Sequence, residues 1–225
     1  MVQIDCRLKS AVDLNREIRF STEQGESEVH LIHPEGRHNL AVGILTCVRV
    51  TVEGTAGYYC GGLCDGIRLD VHGDTGWGLG ENLMSGEIFV SGNAGSAAGA
   101  SMRGGVVRVE GCAGPRAGIS MKGGVLIIEG SVGAMSGFMM QKGAMIIGGD
   151  AGEGLGDSMY EGVILVGGRI RALGNDAVVT EPRPEDLDLI RNVGLDTGLD
   201  WKRVESGKKL WYFNKKEWDV WKVAL

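Results

Sequence analysis

The sequence predicts an all-β fold, a right-handed parallel β-helix of about seven coils, and three observations predict it. A glycine triplet G-x-x-G-x-x-x-G returns every nineteen residues, an alternating strand precedes each copy, and a methionine recurs inside the coil at the same interval. A fixed period of this length, with strands and corners but no helical periodicity, marks a solenoid in which each repeat is one coil stacked on its neighbours.

The triplets open at Gly54, Gly73, Gly92, Gly111, Gly130, Gly149 and Gly168. Three residues on stand Gly57, Gly76, Gly95, Gly114, Gly133 and Gly152, and seven residues on stand Gly61, Gly80, Gly99, Gly118, Gly137 and Gly156. These are read as turn residues, supplying positive φ where the coil bends and letting neighbouring coils approach closely. The seventh copy departs, with Arg171 and Asn175; asparagine tolerates a left-handed backbone, so Asn175 is expected to keep that conformation.

The strands alternate as Ile67-Arg-Leu-Asp-Val-His, Glu87-Ile-Phe-Val-Ser, Val106-Val-Arg-Val-Glu, Val125-Leu-Ile-Ile-Glu, Ala144-Met-Ile-Ile-Gly and Val163-Ile-Leu-Val-Gly. One face carries Leu69/Val71, Ile88/Val90, Val107/Val109, Leu126/Ile128, Met145/Ile147 and Ile164/Val166, which makes it the inside. Met102, Met121, Met140 and Met159 repeat at nineteen residues without His or Cys recurring beside them, so they read as core filling and not as metal ligands. At about 4.8 Å per coil, seven coils make a stack on the order of 30 Å tall.

The chain divides into an N-terminal cap over residues 1–45, the β-helix over 46–178, and a helix with a docking tail over 179–225. Terminal coils expose strand edges that need covering. At the start, Ser10-Ala-Val-Asp-Leu-Asn-Arg-Glu resembles a short helix, and residues 36–52 lead into the first coil. At the other end, Pro182-Arg-Pro-Glu-Asp-Leu-Asp-Leu-Ile-Arg reads as a turn and a helix, with Pro184 near its first position, and is expected to cap the stack.

With 225 residues the chain is long enough for one sizeable core. No leader is apparent in Met1-Val-Gln-Ile-Asp-Cys, and no apolar run reaches membrane-spanning length, so a soluble, cytoplasmic protein is expected. Five scattered cysteines fit a reducing compartment. The one close pair, Cys60-x-x-x-Cys64, places Cys64 in the register of the methionine ladder, facing the core.

Charge is uneven: of 23 basic residues and 29 acids, 7 and 3 lie in residues 201–225. That tail also holds Trp201, Trp211, Tyr212, Phe213, Trp218 and Trp221. The acidic body opposes a nucleic-acid partner, and the tail reads as a docking element whose aromatics bury themselves on a neighbour or on the open coil.

Searching for chemistry returns little. Gly76-Trp-Gly-Leu-Gly-Glu and Gly152-Glu-Gly-Leu-Gly-Asp look like phosphate loops but lack a following helix and fall on the nineteen-residue lattice. Asp150, Glu153 and Asp157 are a weak calcium cage, since no aspartate repeats. His30, His33, His38 and His72 have no nucleophile beside them: His33 and His38 are placed on a solvated loop and His72 on an outward strand face. No catalytic, cofactor-binding or metal residue is assigned.

The outward strand positions change character along the stack. Early coils show Arg68/Asp70/His72 and Glu87/Phe89/Ser91, whereas later ones show Val125/Ile127, Ile146 and Val163/Leu165. A parallel sheet apolar on both faces is normally covered on both. The expected cover for coils four to six is another chain or the protein's own tail, which makes Val125, Ile127, Ile146, Val163 and Leu165 candidate interface residues together with the tail aromatics.

With triplets and ladder in hand, residues 40 to 180 resemble the GXGXG domain family, the β-helix at the C-terminal end of glutamate synthase large subunits that also exists as free-standing subunits. Gly57-Tyr-Tyr-Cys, Glu81-Asn-Leu-Met-Ser-Gly, Gly118-Ile-Ser-Met-Lys-Gly, Gly133-Ala-Met-Ser-Gly-Phe-Met-Met-Gln-Lys-Gly and Gly149-Asp-Ala-Gly-Glu-Gly-Leu-Gly-Asp-Ser-Met-Tyr-Glu are similar to the separate glutamate-synthase-like subunit of N-methylglutamate synthase. Lys208-Lys-Leu-Trp-Tyr-Phe-Asn is similar too.

The resemblance implies a hetero-oligomeric enzyme with a class II glutaminase-like amidotransferase subunit and a flavin-dependent subunit that carries FMN and an iron-sulfur cluster. This chain would hold no cofactor and would keep its partners in register around a path for ammonia or methylamine. A second reading is the β-helix subunit of formylmethanofuran dehydrogenase or of a formyltransferase/hydrolase complex, which shares the glycine coil; the Gly57-Tyr-Tyr-Cys and Met-Met-Gln-Lys-Gly segments look more like the glutamate-synthase side. A carbohydrate-active β-helix would line acids or aromatics along one outer face, against which the apolar flank argues.

Overall fold

The structure, a computed structural model, describes residues 1–207. The tail positions Trp211, Tyr212, Phe213, Trp218 and Trp221 lie outside the described residues. The elements are β1 (Val2–Asp5), α1 (Ala11–Glu23), β2 (Glu28–Ile32), β3 (Arg49–Glu53), β4 (Asp65–Val71), β5 (Ser85–Val90), β6 (Val106–Val109), β7 (Lys122–Ile128), β8 (Lys142–Ile147), β9 (Val163–Val166), β10 (Ala177–Thr180), α2 (Pro184–Asn192) and β11 (Lys202–Ser206). Strands β1 to β9 pair in parallel, each with the next in sequence, and the order continues from β9 through β11 to β10 by antiparallel pairing. This is the parallel β-helix that the nineteen-residue period predicts.

Register follows the sequence period. Val50 pairs with Leu69, Leu69 with Ile88, Ile88 with Val107, Val107 with Leu126, Leu126 with Met145, and Met145 with Ile164. All are buried in one continuous core. Each fully buried aliphatic contributes roughly 1.5–3 kcal/mol relative to exposure, so a column of like residues is itself a stabilising unit. Met102, Met121, Met140 and Met159 are also fully buried, and Leu83 and Cys64 extend their column toward the N-terminus. A second, narrower parallel ladder runs through Ala56, Thr75, Ala94, Ala113, Val132, Ala151 and Ile170 on another side of the coil.

The glycine triplet divides its labour. Only its third position is uniformly left-handed, as at Gly99 with φ 65°. Its second position is a matter of close approach: a Cβ built at Gly76 would lie 2.9 Å from the Gly57 carbonyl carbon. Of the leading glycines, Gly54 alone has positive φ, and the rest sit against the coil below. The left-handed conformation also extends to non-glycine residues two positions either side of the third glycine, such as Tyr59 and Leu63 around Gly61, or Ala97 and Ser101 around Gly99.

The seventh copy behaves differently from expectation. Ala151 pairs with Ile170 nineteen residues on, but Leu155 pairs with Leu173, eighteen on. One residue is lost from that corner, so Gly174 stands where the third glycine would, without positive φ; Asn175 is not left-handed, and Asp176 (φ 63°) matches the left-handed Ser158 of the coil before.

The stack also begins earlier than the glycine lattice. β2 pairs with β3 through Val29 and Val50, and Asn39, Ala41 and Gly43 are left-handed like Tyr59, Gly61 and Leu63 above them. Asn39 N donates to Tyr58 O at 2.7 Å and Gly43 N to Gly62 O at 2.9 Å. The segment read as a cap therefore supplies a further turn, with α1 as the cap proper. Ser10 caps α1, its Oγ accepting from Asp13 N at 3.2 Å, and Leu14 and Ile18 of α1 close the core.

Asn15 of α1 meets the open edge. Its Nδ2 donates to Asn39 O at 2.7 Å and to Ala11 O at 2.8 Å, and its Oδ1 accepts from Val42 N at 2.8 Å. One carboxamide thus satisfies a donor and an acceptor that a lower coil would otherwise pair.

Candidate functional site

The outer face of the β2–β9 sheet is divided into two halves. On the later coils Ile127, Ile146 and Leu165 are buried in a second core with Ile190 of α2 and Trp201, and Val106, Val125, Val163, Leu187, Leu189, Val193 and Leu195 pack around them. The apolar flank is therefore covered by the chain's own residues 187–201. Of the two covers expected, the chain's own C-terminal segment is the one found, Trp201 included, and it packs on Val125, Ile127, Ile146, Val163 and Leu165; α2, expected to cap the stack, lies along the sheet face instead. The residues 184–192 are amphipathic, and an apolar sheet face offers α2 more to bury than the end of one coil does.

Polar contacts at both ends hold α2 in place. Arg203 of β11 reaches Asp186 in the first turn of α2, and Arg108 of β6 donates to Val193 O at 2.7 Å, just beyond the last turn. A cation there meets the negative end of the helix. Arg108 also pairs with Glu129 at 2.6 Å, so it marks the border between the covered and uncovered halves.

The uncovered half, on β2 to β6, is a groove of about 780 Å³. Its floor is Thr51, Asp70 and Phe89, and its end wall is Val106, Ile127 and Val193. Arg49 Nε lies 2.9 Å from Asp70 Oδ2 and Arg68 Nε 3.9 Å, with Arg68 also 3.6 Å from Glu87. Glu53 lies 3.2 Å from His72 Nδ1 and 3.8 Å from His30 Nδ1. These carboxylates are each engaged by a cation or imidazole from an adjacent coil, which suits a lattice of cross-strand pairs better than proton transfer. Phe89 and Arg108, both outward in the sequence, are the groove residues whose joint position only the fold reveals.

The carboxylates considered for calcium are likewise occupied. Asp150 accepts from Arg169 N at 2.7 Å and pairs with its guanidinium at 3.0 Å, which holds Asp150 below the usual carboxylate range. Glu153 pairs with Arg171 at 2.9 Å, and Asp157 accepts from Asn175 N at 3.0 Å. Among the described residues no group of three His, Cys, Asp or Glu side chains is placed to hold a metal.

Asp150 belongs to a ladder that sequence reading missed. Asp74 accepts from Asn93 N at 2.7 Å, Asn93 from Cys112 N at 2.9 Å, Cys112 from Ser131 N at 3.4 Å, and Ser131 from Asp150 N at 3.0 Å. Each is the residue after a leading glycine, so the signal was a short polar side chain at a fixed lattice position.

The thiol pair is sealed in the core. Cys64 Sγ donates to Ala41 O at 3.0 Å, and burial pushes the Cys60 thiol up to about 12 and that of Cys64 to about 11. A thiolate at either position is strongly disfavoured.

A different surface is exposed and apolar. The His38 and Tyr58 rings stack at 4.2 Å and the Tyr58 and Trp77 rings at 5.4 Å, one on each successive coil. His38 lies on an exposed loop, as expected, and is held there in the stack, its Nδ1 accepting from Tyr58 N at 3.0 Å. Glycines make this ridge possible: a Cβ at Gly57 would meet His38 Nδ1 at 2.0 Å, one at Gly76 would meet Tyr58 Cδ1 at 2.4 Å, and one at Gly95 would meet Trp77 Cδ1 at 2.8 Å. Tyr58, Tyr59, Leu63 and Trp77 remain 41, 48, 57 and 57% exposed.

Fold and surfaces together define a right-handed parallel β-helix whose sheet face is half covered by its own helix. Comparison with protein-family models and with curated proteins returns no match.

Proposed function

We propose that this chain is a non-catalytic structural subunit of a glutamate-synthase-like multisubunit enzyme, namely N-methylglutamate synthase, which converts glutamate and methylamine to N-methylglutamate and ammonia. In this reading a glutaminase-like subunit and a flavin and iron-sulfur subunit, the latter with FMN, carry the chemistry. The observation that carries it is the aromatic ridge: Tyr58 and Tyr59, in the Gly57-Tyr-Tyr-Cys segment on which the resemblance rests, stand exposed on a rigid stack. Exposed, clustered Tyr and Trp are the residues that anchor protein interfaces. A stack of register-locked coils also suits a spacer, since confining a reactive amine between two sites raises its effective concentration.

The test is to purify the tagged full-length chain from its source and identify co-eluting chains by mass spectrometry. A flavin-containing large chain and a glutaminase-like chain are expected. A pterin-metal or formyltransferase partner instead would move the assignment to a one-carbon transfer complex.

A further inference from the structure

The ridge contains a notch whose chemistry specifies what enters it. Along one column of the stack, Tyr59 is followed by Gly78, Ala97 and Arg116, so two small residues separate two large ones. The gap is a pocket of about 270 Å³, walled by Trp77, Ser96, Pro115 and Glu81. That volume admits one long side chain. Tyr59 and Glu81 converge over the small residue at its floor: a Cβ built at Gly78 would lie 2.7 Å from Tyr59 Cδ1 and 3.1 Å from Glu81 Oε2.

Charge in the notch is uncompensated. Among the described residues neither the half-buried Glu81 carboxylate nor the Arg116 guanidinium has a hydrogen bond or ion pair through its side chain, in contrast to the carboxylates of the sheet-face groove. Tyr59 takes the left-handed conformation that this column repeats (φ 59°), and its ring, over Gly78, is left half exposed. A carboxylate flanked by two aromatic rings is a receptor for an ammonium or guanidinium group.

We infer that the notch is a docking site for a different protein chain that inserts a lysine or arginine side chain between Tyr59 and Trp77 against Glu81, and sets an acidic residue against Arg116. This rests on the subunit reading above and names the surface that reading requires. The aromatic walls supply apolar contact, and the opposed charges at the two ends fix the direction in which the partner segment lies.

The test places a photo-crosslinking benzoylphenylalanine at Trp77 in the tagged full-length chain, expressed in its source, with the same residue at the exposed Leu8 as control. Expected is an adduct from position 77, absent from position 8, mapping by mass spectrometry to a segment of a co-purifying chain with a lysine or arginine within a few residues. Glu81→Lys should lower its yield about tenfold, and Arg116→Glu should lower it as well. Stable co-purification of partner chains without an adduct from position 77 overturns the docking site and leaves the subunit reading standing. Absence of any partner overturns both, and an adduct to a second copy of this chain, or to a segment without a basic residue, overturns the inference as drawn.

Discussion

Arg203 Nη1 lies 2.6 Å and 2.7 Å from the two carboxylate oxygens of Asp186, and both side chains are almost completely buried. The pair ties β11, which lies antiparallel between β9 and β10, to the first turn of α2, which covers the apolar flank. Asp186 is used twice, since its Oδ2 also accepts from Arg183 N at 2.8 Å and so caps the start of the helix.

Asp186→Ala leaves the Arg203 guanidinium buried with Glu205 as its remaining partner, at 2.9 Å. Removing one member of a buried pair costs about 3–5 kcal/mol. Urea unfolding should show that loss, with a smaller one for Asp186→Asn, which keeps a capping acceptor.

Leu165→Lys places an ammonium under α2, in contact with Ile190 and Trp201. The outcome expected is destabilisation of the chain itself by about 3 kcal/mol or more, since an unpaired charge is buried. Exposure of the flank should appear as a rise in Trp201 solvent accessibility, read from fluorescence quenching in variants that keep Trp201 and lack Trp77, Trp211, Trp218 and Trp221.

Asn15→Ala removes the carboxamide that closes the lower edge, leaving Asn39 O and Val42 N without that partner. Each buried unsatisfied group costs about 1–3 kcal/mol. Hydrogen exchange should accelerate first in residues 37–44 while the middle coils stay protected, because solenoid stability is a sum of local and nearest-neighbour terms. Uniform acceleration through β6 to β8 would contradict this.

The buried thiols set an alkaline limit. The unfolded chain releases these protons from about 9.0, whereas the folded chain keeps them to about 12 at Cys60 and about 11 at Cys64. The contribution is fully present below pH 9 and is lost as pH rises toward 11 and 12, at roughly 1.4 kcal/mol per pH unit per thiol. Stability measured between pH 8 and 10.5 should fall less steeply for the Cys60→Ala/Cys64→Ala double variant. In the native protein only the exposed Cys47 and Cys112 should react quickly with a thiol reagent.

Much of this fold was legible because the coil repeats its environment: Leu69, Ile88 and Val107 meet the same neighbours at the same interval, so period and burial coincide. The first turn was hidden because its corner at Asn39, Ala41 and Gly43 lacks the glycine triplet and breaks the spacing. The flank was visible as apolarity at Ile127 and Leu165, but its occupant was not, since helix placement depends on Arg203 meeting Asp186 and Arg108 meeting Val193 through tertiary contacts. The left-handed sites at Tyr59, Ala97, Arg116 and Met135 share a backbone state and no side-chain chemistry, so no residue pattern announced them. The notch likewise exists only once Gly78 and Ala97 are stacked between Tyr59 and Arg116.

In the proposed role, the chain organises chemistry carried by other subunits. The most direct test of this role is turnover of glutamate and methylamine by three preparations: this chain alone, the co-purifying subunits without it, and all chains recombined. The account predicts no N-methylglutamate from the first, impaired formation from the second and restored formation from the third. Turnover by the isolated chain, or an undiminished rate without it, would contradict it.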